Sequence, residues 1–156
     1  MKKLILFIVI LLSFNTSYSQ EITSDEIEII QELFGEEKRE IIAENIDLTG
    51  VNSDAFWKLY DEYEKQRVDL GNARFKLLKR YTTKKGALTN AQAQELLAEA
   101  VPLRNAGDKL ILTYTKRIEK ATNALVSVQF YQIEHYISDG IRFAILDNID
   151  FIQDKR

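Results

Sequence analysis

The sequence predicts an all-α protein of about four helices, and three observations carry this prediction. The chain has 156 residues but only one proline and six glycines, so few positions interrupt a helix. Apolar residues recur at steps of three and four along most of the chain, which is the period of a helix face. No sustained β-branched alternation is present. We therefore expect long antiparallel helical hairpins in an elongated, cradle-like bundle.

Residues 1–19 have the pattern of a secretory signal peptide. Two lysines follow the initial methionine, residues 4–12 are all apolar, and small residues Ser17 and Ser19 precede the expected cleavage point. The apolar run is too short to span a bilayer, which takes about 20 residues. We expect export to the periplasm without stable membrane insertion, and a single helical domain over residues 20–156.

Composition excludes several classes of function. The absence of cysteine removes disulfides, thiolate catalysis, cysteine zinc sites and an acyl anchor. Without the two lysines of the leader, 19 bases face 24 acids, which does not favour binding to nucleic acid. Packing alone is expected to stabilise the fold.

The first two helices are predicted from caps and periodicity. The first begins at a capping box formed by Thr23 and Glu26, bends near Gly35 and ends near Gly50. The second runs from about Ser53 to Thr82. Its apolar residues at seven-residue steps predict a buried stripe that packs on a partner helix: Phe56, Tyr63, Leu70 and Leu77, with Tyr60 and Tyr81 beside them.

The last two helices follow the break at Gly86. In "LTNAQ", Thr89 and Gln92 have the spacing of a capping box. Pro102 predicts a kink over residues 98–102, and this helix fades near Lys120. The final helix is marked by a second stripe, with Gly140 as a weak point: Val126, Phe130, Ile133, Ile137, Ile141, Ile145 and Ile152.

No motif indicates a reaction, a cofactor or a metal site. His135 is the single histidine and has only one adjacent carboxylate, so we expect it to be a surface or hydrogen-bonded residue. The aspartates near the end of the chain lack the spacing of a calcium loop. The carboxylates Asp61, Glu62 and Glu64 are expected on the outer polar face of the second helix. We expect the protein not to be an enzyme.

Charge is unevenly distributed. Residues 65–85 hold eight bases against one acid, whereas residues 21–47 hold ten acids against Lys38 and Arg39. One interpretation places the acidic first helix beside the basic second helix, so that each neutralises the other. The alternative is an open basic surface that attracts acidic or unfolded polypeptide.

Several stretches occur in a recognisable order. "AFWKLYDEYEKQR" at residues 55–67 is followed by "LTNAQ" at 88–92 and "VQFYQIEHYISDGIRFAI" at 128–145, and "NIDLTG" at 45–50 is a partial LTxxQ copy. In this order they resemble the Spy and CpxP group, the LTxxQ-motif periplasmic proteins. The resemblance implies a four-helix, often dimeric cradle that binds unfolded clients without ATP or modulates envelope-stress and metal sensors.

Two functions follow from the resemblance together with the charge pattern. The first is an ATP-independent chaperone for unfolded or partly folded periplasmic proteins. The alternative is a regulatory or sensor module that binds one membrane protein, and a structural envelope protein is a third possibility. We expect a homodimer. The predicted client-binding residues are apolar Trp57, Phe75 and Leu78, and basic Arg67, Arg74, Lys76 and Arg80.

Overall fold

The fold is all-α, as predicted. The structure, a computed structural model, describes residues 37–82 and 88–147. The helices are α1 (residues 37–45), α2 (Ser53–Thr82), α3 (Asn90–Ala121) and α4 (Ala124–Asp147), and these ranges contain no strand. Several predictions lie outside the described residues: the signal peptide, the Thr23 cap, the Gly35 bend, the Gly86 break and everything after residue 147.

Short polar caps start the helices. In the loop before α2, the Asn52 side chain accepts from the Ala55 backbone N–H at 3.0 Å. Asn123 caps α4 in the same way, accepting from the Val126 N–H at 2.9 Å. At α3 the predicted capping box is confirmed: the Gln92 N–H donates to Thr89 Oγ1 at 3.3 Å, and the Thr89 N–H donates to Gln92 Oε1 at 3.0 Å.

The turn between α1 and α2 depends on a glycine and an aspartate. Gly50 has a φ of 75°, a backbone conformation that residues with a Cβ adopt only with strain. The Thr49 N–H donates to the Asp47 carboxylate at 2.9 Å. Hydrogen bonds from Thr49, from its side chain first and then its backbone, lower the pKa of Asp47.

Neighbouring helices are antiparallel, as contacts from one end of α2 to the other show. Arg117 of α3 pairs with Glu62 near the start of α2 at 2.6 Å. Arg80, near the end of α2, pairs with Glu99, early in α3. α3 packs on both α2 and α4, and α2 also touches α4, since the Tyr63 and Phe130 ring centroids are 5.2 Å apart.

The core is built from most of the predicted stripe residues; on α4, Val126, Phe130 and Ile137 are buried, whereas Ile133 and Ile141 are half-buried. Phe56, Tyr63 and Leu77 are buried as predicted, but Leu70 is only half-buried. Leu70 lines an open groove against Ala106, whose small side chain does not cover it. The central cluster draws on all four helices: Ile42, Ile46, Phe56, Tyr60, Tyr63, Ile111, Tyr114, Ile118, Val126 and Phe130.

The single proline does not end α3. The helix is continuous through Pro102, which is exposed, as is Ala98 one turn earlier. The Ala98 carbonyl, which loses its helical donor to the proline, therefore lies on the solvent side of α3. The kink expected there stays a prediction.

Candidate functional site

The predicted apolar contacts on α2 are only partly open. Trp57 is half-buried, and its ring lies edge-on to Phe56 and Tyr60 with centroid distances of 5.1 and 5.6 Å. The Arg39 guanidinium of α1 covers it at 4.3 Å from the ring centroid. Phe75 and Leu78 are also half-buried. The structure therefore places these three side chains at the edge of the bundle.

The predicted basic residues do not form one open surface. Arg67 has 23% side-chain exposure and pairs with Glu64 at 2.9 Å. Burial alone lowers the pKa of Arg67, but the Glu64 carboxylate outweighs this effect and the pKa lies above its usual value. Arg80 pairs with Glu99, whereas Lys76 is exposed.

Arg74 makes an interhelical contact that the sequence did not suggest. Its Nη2 donates to the Leu103 carbonyl of α3 at 3.0 Å. The guanidinium lies over Gly107, where an added Cβ would overlap Nη2 and come within 3.2 Å of Cζ. Burial and then nearby Arg142 lower the pKa of Arg74. Arg74 is thus engaged within the bundle and not available as an open surface cation.

A buried ionic network beneath α1 is the feature that sequence reasoning missed. Lys38 is 1% exposed and pairs with Glu64 of α2 and, at 2.8 Å, with Glu134 of α4. The Tyr63 hydroxyl donates to Glu134 at 2.6 Å. Burial, with the adjacent Glu134 carboxylate, raises the pKa of Tyr63. The network connects three helices through their interior.

This network corrects the assignment of α2 carboxylates to an outer polar face. Asp61 is exposed and pairs with Arg39, and Glu62 lies near the surface beside Arg117. Glu64 differs because its side chain is only 16% exposed and holds Lys38. One turn after Tyr60, it points toward α1 rather than solvent.

The ion pairs between α1 and α2 also reverse the expected polarity. The sequence suggested acids of the first helix beside bases of the second. In the pairs of Lys38 with Glu64 and of Arg39 with Asp61, the bases come from α1 and the acids from α2. The cause is local: these are the only two bases of the acidic segment, and they face the acidic half of α2.

A signal for the network was present in the sequence. Lys38 precedes Ile42 and Ile46 at steps of four, and all three are buried. Glu134 likewise falls between Phe130 and Ile137 on the apolar stripe of α4. A charged residue in register with an apolar stripe is a candidate for a buried, paired charge.

The open apolar surface lies on α3 and α4 instead of α2. Among the described side chains of α4 five large apolar ones are exposed; Tyr131, 39% exposed, lies to one side, and the other four fall within about 80° of arc: Leu125, Val128, Tyr136 and Phe143, exposed by 65, 58, 57 and 72%. We call these four residues the α4 stripe. On α3, one face carries three further exposed apolar residues: Leu97, Val101 and Leu112.

The α4 stripe is nearly free of charge. Asp139 is exposed on the same side and pairs with Arg142 at 3.2 Å. Arg142 in turn reaches Asp108 of α3 at 2.8 Å. A partner that covers this face would therefore contact mainly apolar side chains and few charged ones.

The surroundings of His135 differ from the expectation. The residue is half-buried, its ring centroid lies 4.4 Å from that of Tyr131, and Nε2 has no hydrogen-bond partner in the described residues. Within residues 37–82 and 88–147, no group of three or more histidine, cysteine or acidic residues is placed to hold a metal ion. None of the helices described in those ranges is both long and apolar enough to span a membrane.

Comparison of the chain with protein-family models, curated proteins and solved structures gave no match. The similarity to the Spy and CpxP group stays a prediction from the sequence motifs.

Proposed function

We propose that the protein is an ATP-independent periplasmic holdase that binds unfolded or partly folded polypeptides. The observation that supports this proposal best is the α4 stripe, whose ends, Leu125 and Phe143, are about 27 Å apart along the helix. Exposed apolar patches of this kind mark sites of protein interaction. The same side of α4 also carries the exposed polar residues Gln132 and Asp139, but its four large apolar side chains can contact clients of varied sequence.

Basic residues have a separate role in this proposal. Lys76 is exposed on α2, Arg80 is exposed but paired with Glu99, and both belong to a segment whose sequence carries a local charge of +7. Exposed charges raise the rate of encounter with an acidic chain, whereas apolar burial determines how slowly it leaves. Clients with exposed acidic residues are expected to associate fastest, and this rate should fall with salt.

The location of the predicted client-binding residues refines their roles. Trp57 is covered by Arg39, and Arg67 and Arg74 already have partners inside the bundle. In this proposal they maintain the bundle, while Phe75 and Leu78 add apolar area at its edge. No chemical transformation of the client is involved, and the cycle requires binding and release alone.

Suppression of aggregation of a denatured client tests the proposal. Replacing all four α4 stripe residues with glutamine should abolish suppression while the circular dichroism spectrum stays helical. The matched control replaces the exposed apolar residues of α3, Leu97, Val101 and Leu112, with glutamine and should retain most of the activity. The holdase proposal fails if the unmodified protein does not suppress aggregation at several-fold molar excess.

The alternative function is a regulatory or sensor module of an envelope-stress or metal-response system. The placement of the α4 stripe residues on one side of the helix favours it, because an apolar helix face also fits one specific groove. A single stoichiometric partner, whose binding the four glutamine replacements abolish, would support this alternative. A homodimer that covers the same stripe would appear in light scattering as twice the monomer mass and revert to monomer in the glutamine variant.

A further inference from the structure

The arrangement of the α4 stripe indicates the shape of the segment that it binds. Leu125, Gln132 and Asp139 follow one another at seven-residue steps on α4, and all three are exposed. Tyr136 and Phe143 form a second exposed row beside them, also seven residues apart. Rows of this kind form the contact seam between two packed helices. We propose that the α4 stripe binds its client as an amphipathic helix, with a basic residue of that helix facing Asp139.

This inference rests on the proposed holdase function and names the class of client segment that the α4 stripe takes. The occupant is a segment of an unfolded protein that has apolar residues at helical steps and basic residues at the border of its apolar face.

The backbone of α4 offers nothing to an extended client. α4 is a continuous helix from Ala124 to Asp147, and the interior N–H and C=O groups of a helix bond to one another. Residues 37–82 and 88–147 contain no strand, so this part of the chain has no sheet edge to which an extended segment can add. An extended client would leave its own backbone groups to water at the rim of the contact. A helical client satisfies them internally and places only side chains against the stripe.

The length and width of the stripe match one helix. Its ends, Leu125 and Phe143, are about 27 Å apart, which is the length of a helix of about 18 residues. Its residues fall within about 80° of arc, which is narrower than the stripe of at least about 100° that faces a globular core. Narrow seams are typical of two helices that pack side by side. The stripe therefore fits a single helix better than a broad apolar surface.

Charge on the same side of α4 selects the client further. The Asp139 side chain is 66% exposed, whereas that of Arg142, with which it pairs at 3.2 Å, is 25% exposed and also bonds Asp108. The negative charge of this group therefore lies outermost. A lysine or arginine of the client beside Asp139 meets an opposite charge, whereas a glutamate meets a like charge.

The polar residues of the seam act mainly on orientation. An exposed ion pair contributes little to affinity, but polar positions within a helical seam specify the register and direction of the partner. Gln132 and Asp139 are the exposed polar positions of the seven-residue row that begins at Leu125. We therefore expect the bound helix to have one preferred register along α4.

An unfolded client has to form its helix at the contact. An isolated helix of about 18 residues is only marginally stable in water. Apolar burial against the α4 stripe supplies the stabilisation that the isolated segment lacks, so binding and helix formation are coupled. Binding should therefore be accompanied by a gain of helical circular dichroism and by a negative change in heat capacity.

Fluorescence anisotropy with two labelled peptides of about 18 residues tests the inference. Both contain the same numbers of leucine, lysine and glutamine. In the helical peptide the leucines recur at steps of three and four, with lysines at the border of the leucine face, and in the alternating peptide leucines and polar residues alternate as in a strand. The unmodified chain should bind the helical peptide at least about tenfold more tightly, because one leucine removed from the contact costs about that factor.

Variants of the protein locate the contact. The replacement of all four α4 stripe residues with glutamine should abolish binding of the helical peptide, and the glutamine variant of the exposed apolar residues of α3 should retain it. A third peptide carries glutamates in place of the border lysines and should bind the unmodified chain more weakly. Asp139→Asn should reduce this preference for lysine, whereas Asp69→Asn, at an exposed aspartate of α2, should not. Circular dichroism verifies that each variant is folded.

The inference is overturned if the alternating peptide binds as tightly as the helical one, if neither peptide binds, or if binding adds no helical signal. Equal effects of Asp139→Asn and Asp69→Asn would refute the contact of a client base with Asp139. The aggregation assay separates these results from the proposed function. A chain that suppresses aggregation but binds both peptides equally keeps the holdase proposal and loses this inference. A chain that binds the helical peptide but does not suppress aggregation loses the holdase proposal instead.

Discussion

Replacing Gly107 with alanine should change stability in opposite directions according to whether Arg74 is present. In a helix interior, alanine is more favourable than glycine by about 1 kcal/mol. With Arg74 in place, the new methyl group overlaps its guanidinium and forces it away from the Leu103 carbonyl. A hydrogen bond from a charged group contributes about 1.5–3 kcal/mol, so the substitution should give a net loss of about 0.5–2 kcal/mol in free energy of unfolding.

The effect of Gly107→Ala on the free energy of unfolding should change sign when the Arg74 side chain is absent. In an Arg74→Ala background, Gly107→Ala meets no guanidinium and should stabilise the protein by about 1 kcal/mol. Gly140→Ala is the matched control, because a Cβ there has nothing within 4 Å, and it should stabilise the protein equally in both backgrounds. The difference between the two Gly107 effects gives a coupling energy of at least about 1.5 kcal/mol.

Urea unfolding monitored by circular dichroism at the helical minimum measures the five variants, which are the three single substitutions and the two double ones, and the unmodified protein. The midpoint should shift while the slope stays constant, which separates stability from changes in the unfolded state. If Gly107→Ala stabilises the unmodified protein as much as Gly140→Ala does, then Arg74 does not lie over Gly107 in solution. The contact between α2 and α3 described above would then be wrong.

Three further predictions concern the network and the caps. Lys38→Met should lower the free energy of unfolding by about 3–5 kcal/mol because it leaves buried carboxylates unpaired. The control Arg39→Met removes an exposed pair and should lower it by at most about 1 kcal/mol. Equal urea midpoints for the two variants would contradict the buried network. Thr89→Ala should cost about 1 kcal/mol through the lost cap, and unchanged thermal stability would mean that the capping box does not form in solution. Burial raises the pKa of Tyr60 and Tyr63 and also that of Tyr81, so their contribution to stability is complete below the unfolded tyrosine pKa of about 10 and is lost as the pH rises above it. The absorbance of tyrosinate should show at least two fewer ionised tyrosines in the folded protein than in the unfolded one.

The helix starts were predictable because the interactions that define them are local. The Thr89 and Gln92 pair spans three residues, so the sequence alone contains the donor, the acceptor and their spacing. The same holds for the stripe of Phe56, Tyr63 and Leu77, whose seven-residue steps put them on one side of α2. Caps and stripes are defined by residues close together in the sequence, so they depend little on which helix packs against them.

The buried network was not predictable by the same rules because its partners are distant in sequence. Lys38 pairs with Glu64, which is 26 residues away in the sequence, and it reaches Glu134 only because α4 packs nearby. Considered singly, each charged residue is assigned to solvent, since burial of an unpaired charge is costly. The cost disappears only when three helices bring the charges together. Arg74 is analogous, because its partner is a backbone carbonyl exposed to it by the missing side chain of Gly107.

The exposed face of α4 is the feature on which the proposed interaction with another chain depends. The stripe predicted from the sequence, with Val126, Phe130 and Ile137 buried, is enough to attach α4 to its neighbours. A helix with that single role needs polar residues on its other side. α4 instead carries Tyr136 and Phe143, both more than half exposed, on that side. Because exposed apolar patches mark sites of protein interaction, we expect a client, a partner or a second copy to cover the α4 stripe.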